Sequence, residues 1–268
     1  GGKHTLKAYN THVGRPRANR LDTKTLQQAS DLVVEQRGKL EFKVTPNDDQ
    51  FDDISYLRER VLDALRRVAR DKAPGYPLNL EYANNGLALE DDQEMIVQTA
   101  VMRLYIMNAF DLKEIYEVDG MLPILLGLVD PSMVFIKNEP HPKRKVLKGA
   151  YRCINPVSLV DQLVEDVLFS ESALLLKEGF FDNGSAVGIG FTDEMNQEIV
   201  QRIKSQTKLG CIPGSTDVSG FDGLHTEQSM RATVEIDDRV HNAGHHNKWK
   251  QCNMNWSYAC TRSYVVHG

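Results

Sequence analysis

Two stretches of this sequence carry side chains that could do chemistry together. The first is T-D-V-S-G-F-D, residues 216–222, with Asp217 and Asp222 on either side of Gly220. A carboxylate at the end of a strand is well placed to hold a hard cation, because magnesium takes oxygen ligands and keeps waters or substrate phosphates in its remaining positions. The acid beyond the glycine turn cannot share that strand's face and would address a neighbouring subsite. The second stretch is K-N-E-P-H-P-K-R-K-V-L-K-G-A-Y-R, residues 137–152, in which Lys137, Lys143, Arg144, Lys145, Lys148 and Arg152 face a single acid, Glu139. Each has a plainer reading by itself, since aspartates flanking a turn are common turn formers and a basic run is commonly a solvated loop. Together they supply what phosphoryl transfer needs: carboxylate-held metal at the reacting oxygens and cations around a triphosphate. That division of labour requires both stretches to line one cavity.

The surrounding elements have to position them. Pro140 and Pro142 exclude a regular helix at the start of the basic stretch, so its cations are expected on an extended or looped backbone between two strands, the first being Met133–Ile136. Cys211 to Val218 reads as a strand ending at Asp217. Ile54, Leu57, Val61, Leu65 and Val68 recur at three- and four-residue steps behind Asp52 and Asp53, which predicts an amphipathic helix ending before Pro74-Gly75. The arginines on its outer face read as a solvated surface. A second helix spans 90–110, with Met95, Val101, Met102, Tyr105 and Ile106 as its apolar side. Ser158 with Asp161 starts a buried helix, Thr192 caps another carrying Met195, Ile199 and Ile203, and His225 to Tyr264 is helical in two pieces. Residues 1 to about 50 read as a loop-rich arm.

Composition narrows the class. The chain has 268 residues, 41% hydrophobic and 26% charged, which excludes a disordered polypeptide. Its uncharged apolar stretches fall well short of the roughly 20 residues a membrane-spanning helix needs, and the first residues carry no export signal. Cys153, Cys211, Cys252 and Cys260 are scattered without a C-x-x-C pair, so no zinc site or disulfide framework is expected; a reducing compartment and buried thiols are. The net charge of −5 argues against nucleic acid as a partner only if charge is evenly spread, and the 137–152 stretch shows that it is not. His241, His245 and His246 lack an accompanying acid and read as polar surface. Gly188 to Gly190 reads as a turn, and Trp249 and Trp256, seven apart, as core.

Three ordered motifs carry a family resemblance. The run from Lys137 through Ile154, followed by P-V-S-L-V-D-Q-L-V, resembles motif F and the next helix of RNA-dependent RNA polymerases of sobemovirus, polerovirus and barnavirus type. D-V-S-G-F-D resembles their motif A, and A-P-G-Y-P-L, residues 73–78, their template-guiding motif G. The resemblance implies an α+β right-hand polymerase fold: fingers over residues 1–156, the first part of a palm over 157–240, a return to fingers over 241–268, and no thumb. It assigns Asp217 and the Val218 carbonyl to the catalytic metals, Mg²⁺ or Mn²⁺, with Asp217 and Asp222 catalytic. Asp222 would also recognise the ribose 2′-hydroxyl of the incoming nucleotide. Lys137, Arg144 and Arg152 would face the nucleotide. Lys143, Lys145 and Lys148, with Pro74 and Gly75, would face RNA, while Glu139 orients the loop by an internal ion pair.

Two departures bear on that reading. Gly223 stands where these viruses often have an aromatic. The chain reaches Gly268 without an S-G-x3-T or G-D-D segment, so it is expected to be an N-terminal part, inactive and poorly soluble alone. Expected partners are RNA template and product, nucleoside triphosphates and other viral replicase proteins, without direct membrane insertion, in replication complexes of the host cytoplasm. A non-catalytic RNA-binding replicase module would instead bind RNA in a salt-dependent way that ignores Mg²⁺ and Asp217. A metal-dependent phosphohydrolase built on Asp217 and Asp222 would need further acids or histidines close in space.

Overall fold

A computed structural model describes residues 2–13, 21–37, 48–110, 121–188, 190–217, 226–240, 247–261 and 265–267. Among them the chain is mostly helical with a small sheet. Helices α1 (Gly2–Val13) and α2 (Thr23–Arg37) occupy the stretch expected to be a loop-rich arm. What holds α2 is remote in sequence: Arg37 pairs with Asp237 at 3.1 Å, Arg239 with Asp31 at 2.8 Å, and Gln228 accepts a bond from the Leu21 N–H at 3.1 Å. Local periodicity cannot report a helix whose partner lies about 200 positions away.

The core is a bundle. Helix α3 (Asp48–Phe51) leads into α4 (Ile54–Arg66), whose start is capped by the Asp53 carboxylate accepting from the Ser55 N–H at 2.8 Å. Leu57, Val61 and Ala64 are its buried stripe. After α5 (Asn85–Asp91) comes α6 (Gln93–Ala109), which buries Ile96, Val97, Ala100, Val101, Leu104 and Met107. The expected apolar side is therefore rotated, with Met95 and Met102 about half exposed. This helix is apolar around most of its circumference, so packing rather than periodicity selects the buried face.

After α7 (Leu122–Leu125) the chain forms β1 (Ser132–Ile136), α8 (Lys143–Lys148) and β2 (Cys153–Ile154). Then follow α9 (Leu159–Glu178), α10 (Phe180–Asn183), α11 (Asp193–Lys208), α12 (Glu227–Val240), α13 (Asn247–Thr261) and β3 (Val265–His267). The sheet runs β2-β1-β3, with β2 antiparallel and β3 parallel to β1. Leu159, Leu163, Val164 and Val167 of α9 close the bundle against α4 and α6, and α13 packs on α6, with Trp249 and Trp256 core residues as their spacing predicts.

Cys211 to Asp217 is not a strand; every residue in it is exposed, Ile212 by 92%. A strand needs a neighbour to satisfy its N–H and C=O groups, and among the described residues the three-stranded sheet does not reach this segment. Cys252 is buried as expected, but Cys211 is exposed on that open segment.

Candidate functional site

The basic stretch is held at the end of a hairpin. Phe135 pairs with Ile154 and Ile136 with Cys153, and the Lys137 N–H extends the ladder by donating to the Arg152 carbonyl at 2.9 Å. Both ends of the cationic run are thereby brought together, as two flanking strands predict. Between them the backbone is helical rather than extended, because α8 begins directly after Pro142. Proline at a helix start sacrifices an N–H that has no intrahelical partner anyway, so these prolines start the helix instead of preventing it. Gly149 ends it in the left-handed region at φ 68°.

Glu139 sits between the two ends, 2.8 Å from Lys137 and 3.2 Å from Arg152, as the expected internal ion pair. The Lys137 ammonium beside it, with Arg152 adding, holds its carboxyl below the usual range. Lys143, Arg144 and Lys148 are exposed and pair with no carboxylate among the described residues, while Lys145 is half-buried. Packing like charges on under two turns of helix is locally unfavourable and leaves this surface strongly positive. Helix α1 backs the hairpin: the Lys7 stem covers Gly149, and His4 and His141 both meet the Tyr151 ring edge-on, at 6.4 and 5.3 Å.

Pro74 and Gly75 are buried against the start of α9 rather than open to solvent. The Pro74 carbonyl accepts from the Leu159 N–H at 2.7 Å, and Gly75, at φ 70°, lies so close that a Cβ there would stand 2.7 Å from the Val157 oxygen. The exposed residues of that loop are Ala73, Pro77 and Leu80.

What ties this loop to the hairpin is a buried charge cluster that the sequence reading does not contain. Arg103 of α6, 5% exposed, donates to Asp130 at 2.8 and 3.1 Å, to Asp161 and to the Gly127 carbonyl at 2.8 Å. The Ser158 hydroxyl caps α9 by accepting from the Asp161 N–H at 3.1 Å and donates to Asp130 at 2.6 Å. Asp161 in turn accepts from the Asp130 N–H at 3.0 Å. Ser132, at the head of β1, donates to the Pro156 carbonyl at 3.0 Å. Burial pushes the Asp161 carboxyl up to about 7, against the opposing pull of Arg103. The available signal was a lone arginine inside an apolar helix, which is rarely buried without a partner.

Asp217 is exposed and makes no hydrogen bond or ion pair with a described residue, the basic hairpin included. Val218 and Asp222 lie outside the described residues. Among the described residues no cluster of three or more histidine, cysteine or acidic side chains is placed to hold a metal ion.

A family described as viral RNA-directed RNA-polymerase matches residues 17–175, which include the Pro74-Gly75 loop, Arg103, the basic hairpin and most of α9 but stop short of Asp217. The replicase polyprotein P2AB of Southern cowpea mosaic virus is 29% identical over 169 residues, covering 63% of this chain and 18% of that protein. The RNA-directed RNA polymerase of Mushroom bacilliform virus is 28% identical over 171 residues, covering 62% of this chain and 40% of its own length. Protein P1-P2 of Potato leafroll virus reaches 58% identity over 125 residues, 42% of this chain and 12% of that protein. The chain thus spans less than half the length of each of these relatives.

Proposed function

Since this chain belongs to the viral RNA-directed RNA-polymerase family, we propose that it is part of an enzyme that copies RNA by template-directed nucleotidyl transfer. The 3′-hydroxyl of the growing strand attacks the α-phosphate of a nucleoside triphosphate, and pyrophosphate leaves. The single observation that carries this reading is the hairpin that presents six cations against one acid, two of them paired with it and the others turned outward on or beside α8, within the residues the family covers. In it Lys137, Arg144 and Arg152 meet the triphosphate and offset the charge of the leaving pyrophosphate. Lys143, Lys145 and Lys148 meet RNA phosphates, and Pro74 and Gly75 fix the loop that borders the template.

Asp217 and the Val218 carbonyl would hold Mg²⁺, or Mn²⁺, and Asp222 the ribose 2′-hydroxyl of the incoming nucleotide. The bound metal supplies charge stabilisation at the reacting phosphate oxygens. Residues 1–156 would form fingers, 157–240 the first part of a palm, and 241–268 a return to fingers. RNA template and product, nucleoside triphosphates and other replicase proteins are the proposed partners, in replication complexes of the host cytoplasm. No helix among the described residues is long and apolar enough to cross a membrane.

Asp217→Ala tests the assignment in the full-length replicase. Nucleotide addition should fall by at least a thousandfold while RNA affinity is kept; substantial residual turnover rejects Asp217 as the metal ligand.

A further inference from the structure

Arg103 holds both legs of the basic hairpin at their roots. Strand β1 is entered through residues 127–130, and Arg103 fixes both ends of that approach: its Nε donates to the Gly127 carbonyl at 2.8 Å, and its two terminal nitrogens fork onto the Asp130 carboxylate at 2.8 and 3.1 Å. Strand β2 leaves through residues 155–158, where the Pro156 carbonyl accepts from the Ser132 hydroxyl at 3.0 Å and the Ser158 hydroxyl donates to Asp130 at 2.6 Å. The Pro74-Gly75 loop meets the same point, because the Leu159 N–H beside Ser158 donates to the Pro74 carbonyl at 2.7 Å. Three parts of the chain thus take their relative placement from one guanidinium that is 5% exposed.

A clamp at the root matters because of where the cations stand. Lys137 follows β1 directly, and at ~3.3 Å per residue it lies about 17 Å beyond Ser132. Glu139 joins Lys137 to Arg152, and the Lys137 N–H donates to the Arg152 carbonyl at 2.9 Å, so the two cations move as a unit. A tilt of about 5° at the root would carry that unit by about 1.5 Å, and a misplacement on the order of 1 Å can cost a catalysed step about a hundredfold. Stability alone does not call for this node, since a buried ion pair is often matched by apolar side chains of similar volume. What apolar packing cannot supply is direction, because a guanidinium fork accepts a carboxylate in one orientation.

We propose that Arg103, acting through Asp130 and Ser158, is a positioning residue for nucleotide binding: it sets the angle of the cationic hairpin against the Pro74-Gly75 loop, and so the place of a triphosphate relative to the template. Its effect passes through the hairpin's cations, because the buried guanidinium is itself committed to Gly127, Asp130 and Asp161. This inference rests on the reading of Lys137, Arg144 and Arg152 as nucleotide contacts.

The full-length replicase tests it, with the Michaelis constant for nucleotides as the readout. Ser158→Ala removes one hydroxyl from the node, and Arg103→Lys keeps the charge but not the fork; each should raise that constant about fivefold or more. Asn108→Ala controls for stability alone. That residue also lies on α6 but bonds the Phe51 carbonyl and Asp52 at 2.9 and 3.1 Å, so its loss should lower the melting temperature and leave the constant within about twofold. Arg152→Ala should raise the constant about tenfold in the unmodified enzyme but less than about threefold in Ser158→Ala, because an arginine already displaced has less to lose. Equal factors in the two backgrounds, a constant unmoved in Ser158→Ala, or an increase in Asn108→Ala as large as in the node variants overturns the positioning role and leaves the nucleotide contact standing. Arg152→Ala without effect in the unmodified enzyme overturns the nucleotide contact and this inference with it. Ser158→Ala, the mildest change, decides where Arg103→Lys fails to fold.

Discussion

The six cations of the hairpin do not stand in one environment. Lys137 and Arg152 are tethered by Glu139, whereas Lys143, Arg144 and Lys148 are open to water. A tethered cation is held in place for a ligand of fixed geometry, and a free one adds to the field that attracts any polyanion. Arg152→Ala should therefore raise the Michaelis constant for nucleotides about tenfold, the worth of one charge-assisted hydrogen bond, in the full-length enzyme. An unchanged nucleotide dependence contradicts that role. Lys148→Ala should instead weaken RNA binding alike for every template and lower the slope of log affinity against log salt by about one; an unaltered slope places Lys148 off the RNA path. Both roles are proposals from the family resemblance; what was legible in the sequence is the Glu139 ion pair. Arg103 was not, because its partners Asp130 and Asp161 lie 27 and 58 positions away, and neither looks unusual until the fold brings it to α6.

Elements were legible where the signal is local. The caps at Ser158 and Thr192 and the paired tryptophans were read from nearby residues and stand as read. Elements defined by distant partners were missed or misplaced: α1 and α2 dock on other parts of the chain, the buried face of α6 is chosen by its neighbours, and 211–217 lacks a pairing strand among the described residues. The helical start after Pro142 shows the same limit for turn chemistry, since proline both breaks and begins helices. Two glycines separate the local term from the tertiary one. Gly149, at φ 68°, has the flexible Lys7 stem against the site of its missing Cβ, so Gly149→Ala should cost about 1 kcal/mol, mostly backbone strain. Gly75, at φ 70°, faces the Val157 and Ser158 backbone at 2.7–3.0 Å, which cannot swing aside. Gly75→Ala should cost roughly 2–4 kcal/mol, more than strain alone, as the loop parts from α9. Denaturant midpoints of the two variants measure the difference; equal losses mean that the contact with α9 carries no energy.

At the scale of the whole molecule, the Arg103 cluster joins the bundle, the Pro74-Gly75 loop and the base of the hairpin. It does so with one positive charge facing two carboxylates. Cutting the cation out leaves both acids buried without it, so Arg103→Met should destabilise the chain by about 3–5 kcal/mol. The same arithmetic gives stability a direction with pH. An unfolded aspartate ionises at ~3.9, while burial raises Asp161 to about 7 and Asp237 to about 6 in the folded chain. Between those values the folded state keeps protons that the unfolded state has lost, so stability should fall as pH rises from about 4 to 7. Carboxylates held low by exposed partners, such as Glu139, act in the opposite sense at the acid end of that range, which makes the Asp161 part separable only by substitution. Asp161→Asn keeps an acceptor for the Asp130 N–H and leaves Arg103 matched one to one with Asp130. Its stability should decline less steeply between pH 5 and 7 than that of the unmodified chain, by the proton that Asp161 no longer binds. Chemical denaturation of both at several pH values reads this as a difference in slope. Parallel curves would mean that Asp161 is ionised throughout and that Arg103 offsets both acids.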